Sequence, residues 1–327
     1  MKIKSLTALI ALLFITCTKE NNNRISDTNT SNLITQDDTP VPLNDLGTGT
    51  FMGYEGGLYP NGINVASGTY ATDLLKKSRS IQPIDTFGNQ SASGQIVFIS
   101  IGGSTGGHNM KLLRMKTIGN PATNPALKLF NCNNGSGEAS LANIMDTTND
   151  YWNHITESIK GSRSSYRQVQ VIYLETDDSN TYVEWPGRPL EVKEKIESCL
   201  RVFKQKFQNI KIVYVLGRTR TFGSKAIWNR EPSPYYFGWS CKWAIEDQIN
   251  GVPGTKYKGK KAVAPMLAWG FYQWADSLPR TTDGFYWRSS ETADGLHANL
   301  DGEDTLSTRF QKFLLTDKYA KKWYAAP

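Results

Sequence analysis

Histidine and cysteine are scarce in this chain, with three and four residues in 327. His108, His154 and His297 stand far apart, and after Cys17 the spacings of Cys132, Cys199 and Cys241 fit no metal site. That argues against a structural zinc, which needs four close ligands of these types. The odd number also leaves at least one thiol unpaired. Cys132 falls in an apparent strand and is expected to be buried. Long hydrophobic runs are missing beyond the first sixteen residues, so nothing after Cys17 is expected to span a membrane. A basic stripe is missing too, although the formal net charge is +7. Lys2 and Lys4 belong to the leading segment, and the other basic residues are scattered or lie in the C-terminal KYAKKW. A solvated basic surface is expected rather than a nucleic-acid interface. No internal repeat is present.

What is there begins with a targeting signal. Lys2 and Lys4 precede an apolar run from Leu6 to Ile15, and Cys17 follows. A charged start and a short apolar core form a secretory signal. Phe14-Ile15-Thr16-Cys17 resembles a bacterial lipoprotein signal, in which Cys17 is lipidated and becomes the new N-terminus; an ordinary signal cut near Cys17 is the alternative. Residues 18–48 are rich in Asn, Thr, Ser and Asp and read as a disordered tether. A folded domain is expected over 49–327. The expected location is a bacterial cell envelope, lipid-anchored on the periplasmic side or the cell surface, or outside the cell.

The folded part reads as alternating strands and helices. Residues 49–94 form an irregular Gly- and Tyr-rich lead-in with a helical piece from Tyr70 to Arg79. Apolar runs then recur at Ile96–Ile101, Leu127–Phe130, Val169–Leu174, Ile210–Leu216 and Ala264–Trp269. Amphipathic segments lie between them, near Leu141–Ile159, Leu190–Phe207 and Trp239–Ile249, and a last helix starts near Asp301. This alternation predicts an α/β protein: a three-layer α/β/α sandwich around a flavodoxin-like parallel sheet of about five strands.

The first candidate for chemistry is the stretch QIVFISIGGSTGGH, residues 95–108. A buried strand ends in Gly102-Gly103-Ser104-Thr105-Gly106-Gly107, and Met110, Leu112, Leu113 and Met115 suggest a following helix. Such a strand–turn–helix unit puts Ser104 at the carboxyl edge of the sheet, where open α/β folds bind ligands. Ser104 is either an exposed nucleophile or simply a helix cap. The second is Asp294-Gly295-Leu296-His297. An Asp three residues before a His can hold the imidazole Nδ1–H and leave Nε2 free to take a proton, which a serine nucleophile requires. The third is Asn131-Cys132-Asn133-Asn134-Gly135-Ser136-Gly137. In a parallel sheet this loop lies beside Ser104, where a glycine amide could meet the oxygen of a tetrahedral intermediate and contribute roughly 3 kcal/mol.

Together these blocks resemble the SGNH (GDSL-like) hydrolases, and more closely a largely uncharacterised bacterial branch, often secreted. The resemblance runs from about Val97 to the C-terminus through SIGGS, QVQVIYLE, REPSPYYFGWSCKWAIEDQI, WGFYQWAD and DGLH. It implies catalytic Ser104, Asp294 and His297, and an oxyanion hole made by Ser104, Gly137 and an asparagine. Three departures stand out, the first being Gly103 in place of the Asp or aliphatic residue before the family serine, which a turn tolerates. Placed without gaps, the family asparagine falls on Asp178, where a carboxylate would repel an oxyanion unless protonated. Either Asn180 substitutes, or the hole uses only the amides of Ser104 and Gly137. The proline that often follows the family histidine is Ala298.

Tyr235, Tyr236, Trp239, Trp243, Trp269, Tyr272, Trp274 and Trp287 crowd the stretch between Trp228 and Trp287. Most are expected in the core, with one or two left for a cleft that takes flat sugar rings. Arg218, Arg220 and Arg230, with Glu231, follow the fourth strand and either bind an acidic substrate or form structural ion pairs. The expected activity is that of a serine esterase on an ester substrate, such as a carbohydrate O-acetyl ester, with no metal or organic cofactor. The alternative is a non-catalytic, glycan-binding surface lipoprotein that retains the fold.

Overall fold

The computed structural model describes residues 39–133, 139–178, 184–224 and 226–327. Five parallel strands form the central sheet: β1 (Ile96–Gly102), β2 (Leu127–Asn131), β3 (Val169–Glu175), β4 (Ile212–Val215) and β5 (Met266–Trp269). Their order is β2-β1-β3-β4-β5. Ile99 pairs with Phe130 on one side and Ile172 on the other, and Tyr214 pairs with Tyr173 and Ala268. The inner strands β1, β3 and β4 are buried along their whole length, which is why they read as unbroken apolar runs. Edge strand β2 is only partly buried and exposes Lys128 and Asn131.

Helices cover the sheet and complete the three-layer α/β/α sandwich. They include α1 (Gly68–Arg79), α2 (Ser104–Thr117), α3 (Tyr151–Lys160), α4 (Gly187–Lys206), α5 (Ser233–Asn250) and α6 (Leu300–Thr316). Helix α2 packs on α6, and α4 packs on α5. From the sheet, Phe98 and Tyr173 meet Phe310 of α6, and Tyr214 meets Phe313. On α4, Trp152 of α3 finds Phe203. The segment expected as one helix near Leu141–Ile159 is two, Leu141–Met145 and α3, separated by the polar turn Asp146–Asp150.

Two boundaries differ from expectation. Packing begins before residue 48: Leu43 is fully buried, Asp45 accepts from the amides of Thr281 and Thr282, and Val41 O accepts from the Tyr235 hydroxyl. Val41, Leu43 and Leu46 are too few, among polar residues, Pro and Gly, to set a period, so composition reads this piece as tether. Cys132 lies one residue beyond β2 rather than within it, and it is buried, as are Cys199 and Cys241; all three are free thiols. Burial pushes the Cys132 thiol up to about 12, so it is inert as a nucleophile. The leading segment and Cys17 lie outside the described residues. No described helix is long and apolar enough to cross a membrane.

The strand order reverses between β1 and β3, with β2 beyond β1 and β4 beyond β3. The crevice outside the carboxyl ends of β1 and β3 is therefore the place where this topology holds ligands.

Candidate active site

The turn after β1 works because its glycines permit close approach. Gly102 has φ +153°, and a Cβ there would sit 1.9 Å from the carbonyl oxygen of Glu175 at the end of β3. The Gly103 amide donates to that same carbonyl at 3.1 Å, locking the turn to the neighbouring strand. At Gly106 a Cβ would meet the Asn133 amide nitrogen at 2.8 Å. Asn133 Nδ2 donates to Gly103 O, and Asn131 Nδ2 to Gly107 O, each at 3.1 Å. Asn131 at the end of β2 and Asn133 just after it thus brace the start of α2.

Ser104 is the first residue of α2, and the cap position is Gly103, which has no side chain to cap with. The hydroxyl of Ser104 is directed instead to His297, 193 residues away, donating to Nε2 at 2.8 Å. His297 Nδ1 lies 2.8 Å from Asp294 Oδ2. A carboxylate only accepts, so Nδ1 carries a proton, and in the neutral ring Nε2 is the base that faces the serine. Asp294 Oδ1 also accepts from the backbone amides of His297 (2.7 Å) and Leu296 (3.0 Å), which closes the turn and aims the ring. The His297 ring and amide hold the Asp294 carboxyl down to about 2. Asp294 is therefore ionised at any working pH, and its contribution to stability, present above its unfolded value near 3.8, fades as pH falls through about 2. The first-turn amides of α2, Ser104's among them, have no carbonyl four residues back to bond within the helix, so they form a donor set at its N-terminus. Gly137 and Asn180, expected in the oxyanion hole, lie outside the described residues.

Beside the triad is a pocket of about 270 Å³ whose walls include Glu175, Asp177, Arg218, Trp228, Asn229 and Leu296. Of the two adjacent aspartates, Asp177 lines the pocket and Asp178 does not. Asp178 is buried with its carboxylate on Lys195, away from the pocket lining. Asp177 Oδ1 accepts from Arg188 at 2.6 Å, and Oδ2 lies 3.5 Å from Arg218 Nη1. Burial raises the Asp177 carboxyl, and the two guanidinium groups oppose that.

Of the two roles open to Arg218, Arg220 and Arg230, substrate binding or structural pairing, the contacts within the protein favour the second. Arg218 donates to Asn229 Oδ1 (2.5 Å) and Trp228 O (3.2 Å) besides Asp177. Arg220 pairs with Asp276, and Arg230 Nε donates to Ser224 O at 2.6 Å. The aromatics named from Tyr235 to Trp287 are all buried, whereas Trp228 is half-buried on the pocket wall. Beneath the site, buried Glu175 Oε2 accepts from Gln273 Nε2 (2.7 Å), Asn109 Nδ2 (3.3 Å) and the Tyr173 hydroxyl. Asn109 and Gln273 carry no local sequence signal for this role, because the network joins residues more than 160 positions apart.

Among the described residues no group of three or more His, Cys, Asp or Glu is placed to hold a metal ion. No family model matches the chain, and no curated protein matches it.

Proposed function

We propose that the protein is a serine esterase that cleaves a carboxylic ester through Ser104, His297 and Asp294. The observation that carries this reading is the continuous chain of 2.8 Å contacts from Ser104 Oγ to His297 Nε2 and from His297 Nδ1 to Asp294 Oδ2. In this mechanism Oγ attacks the ester carbonyl carbon while its proton passes to Nε2. The carbonyl oxygen takes the negative charge and meets the Ser104 amide at the α2 N-terminus. Collapse of the tetrahedral intermediate expels the alcohol, which takes the proton from His297 and leaves Ser104 acylated. Water then attacks the acyl group, with His297 again removing a proton, and releases the acid and free Ser104. Asp294 remains ionised throughout and steadies the imidazolium.

A carbohydrate O-acetyl ester fits a small pocket edged by one partly exposed tryptophan, since the acyl group is short and an indole face suits a sugar ring. The proposal extends to Cys17 as a lipid attachment that holds the domain at a bacterial envelope. Asp177 favours the second reading, a glycan-binding protein without catalysis, because a carboxylate on the pocket wall opposes a nearby oxyanion. Its pairing with Arg188 and Arg218 offsets that charge, so the esterase reading stands first. A chromogenic acetyl-ester assay decides: turnover by the native chain and none by Ser104→Ala is the expected result, and equal rates in both would remove the catalytic reading.

A further inference from the structure

We propose that His108 is a positioning residue for His297, held in place by the buried carboxylate of Glu303. This rests on the Ser104–His297–Asp294 reading and names the group that steadies its base. His108 follows Ser104 by four residues on α2, so nucleophile and second histidine share one helix face. The His108 ring lies against that of His297, with centroids 5.7 Å apart and planes 30° from parallel. His108 Nδ1 is 2.5 Å from Glu303 Oε1. Glu303 stands in the first turn of α6, where the helix N-terminus favours an anion, and its side chain is only 8% exposed. Its other oxygen, Oε2, is buried with no hydrogen-bond partner among the described residues. His108 Nδ1 likewise meets no hydrogen-bond geometry among the described residues, so its 2.5 Å approach to Oε1 is a close polar contact that sets the His108 ring against the Glu303 carboxylate.

The need for such a wall follows from the catalytic cycle. In the free protein the His297 ring is held at both nitrogens. Once Ser104 Oγ is acylated it no longer donates to Nε2, and only the bond to Asp294 remains. That pair is exposed: the Asp294 side chain is 55% accessible and the His297 side chain 31%. A ring tethered at one nitrogen and open to water can tilt, and loss of alignment is costly at the deacylation step. His108 closes one face of the ring. The wall is rigid because α2 and α6 pack directly on each other, with Lys116 and Asp304 paired further along the same contact. Asp294 bears on His297 from its own turn, Glu303 of α6 acts through His108 on α2, and Glu175, Asp177 and Arg218 line the same pocket as His297.

The test uses the purified full-length chain and four variants: His108→Ala, Glu303→Gln, His108→Ala with Glu303→Gln, and His108→Phe with Glu303→Gln. The Glu303→Gln background leaves no buried carboxylate without its partner. Only three histidines are present, so long-range imidazole proton–nitrogen spectra resolve each ring. In the native chain His297 is expected as a single Nδ1–H tautomer, and in His108→Ala as a mixture. Hydrolysis of an acetyl ester is expected to lose about tenfold or more in kcat, with KM little changed. In the shared background, the flat ring of Phe at position 108 should restore most of what Ala loses. Unaltered His297 resonances in both His108→Ala variants would overturn the proposal. The spectra decide it even if the native chain hydrolyses no ester, which would refute the esterase reading separately.

Discussion

The Phe222 amide donates to the Gly295 carbonyl at 2.8 Å, joining the loop after β4 to the turn that carries His297. A Cβ at Gly295, whose φ is +84°, would lie 2.9 Å from the Gly223 nitrogen, so the two loops are in direct backbone contact. The loop that supplies Trp228 and Asn229 to the pocket therefore also backs the turn that carries His297.

Glu231 anchors that loop, and its burial makes the anchor sensitive to pH. Its Oε1 accepts from the Thr221 amide (3.0 Å) and Trp274 Nε1 (3.1 Å), while Oε2 is buried without a partner among the described residues. Burial pushes the carboxyl up to about 7. The folded state thus holds this proton more tightly than the unfolded chain. Stability is greatest below the unfolded value near 4.5, falls as pH rises to about 7, and is level above. Glu231→Gln keeps an accepting oxygen and loses the charge. It should raise the melting temperature at pH 8 and change it little at pH 4. An equal effect at both pH values in a thermal-unfolding comparison would contradict this.

The triad should behave as one unit. Ser104→Ala and His297→Ala are each expected to lower kcat by about 10⁴-fold or more, and the double variant should be little worse than either. Asp294→Asn should be severe but leave more residual rate. The exposure of Asp294 means its loss costs little in folding, so unfolding midpoints should stay near the native value. Multiplicative losses in the double variant would show that the two residues act independently.

The two adjacent aspartates after β3 should respond differently. Asp177→Asn leaves the buried Arg188 guanidinium, whose side chain is 2% exposed, with weakened neutralisation. A loss of about 3 kcal/mol in urea unfolding is expected. Asp178→Asn removes one partner of Lys195, which keeps Glu191 at 2.5 Å, and should leave kcat within about twofold because Asp178 does not line the pocket. A large rate increase in Asp178→Asn would place that side chain in the oxyanion hole after all.

Cys17→Ala should abolish labelling by a fatty-acid analogue and move the processed chain from the membrane fraction to the soluble one. Continued labelling of the variant would remove Cys17 as the attachment site.

Local features were legible in the sequence because their physics is local. A run such as Ile96–Ile101 must be buried on both faces wherever it lies, and the glycines around Ser104 mark a turn that presses against another backbone. Asp294 and His297 are three residues apart, so one turn suffices to join them. The five-strand parallel sheet followed from the alternation of strands and helices. Tertiary structure decided everything that depended on direction and on distant partners. Asp177 and Asp178 are neighbours in sequence, yet one faces the pocket and the other Lys195, because side chains diverge along non-helical backbone. Arg218, Arg220 and Arg230 could have met a substrate, and their nearest acceptors turned out to be within the protein. Leu43 looked like tether until the core received it. The meeting of Ser104 with His297, and of His108 with Glu303, spans nearly two hundred residues. Only the packing of α2 against α6 brings those groups together, and no spacing along the chain encodes it.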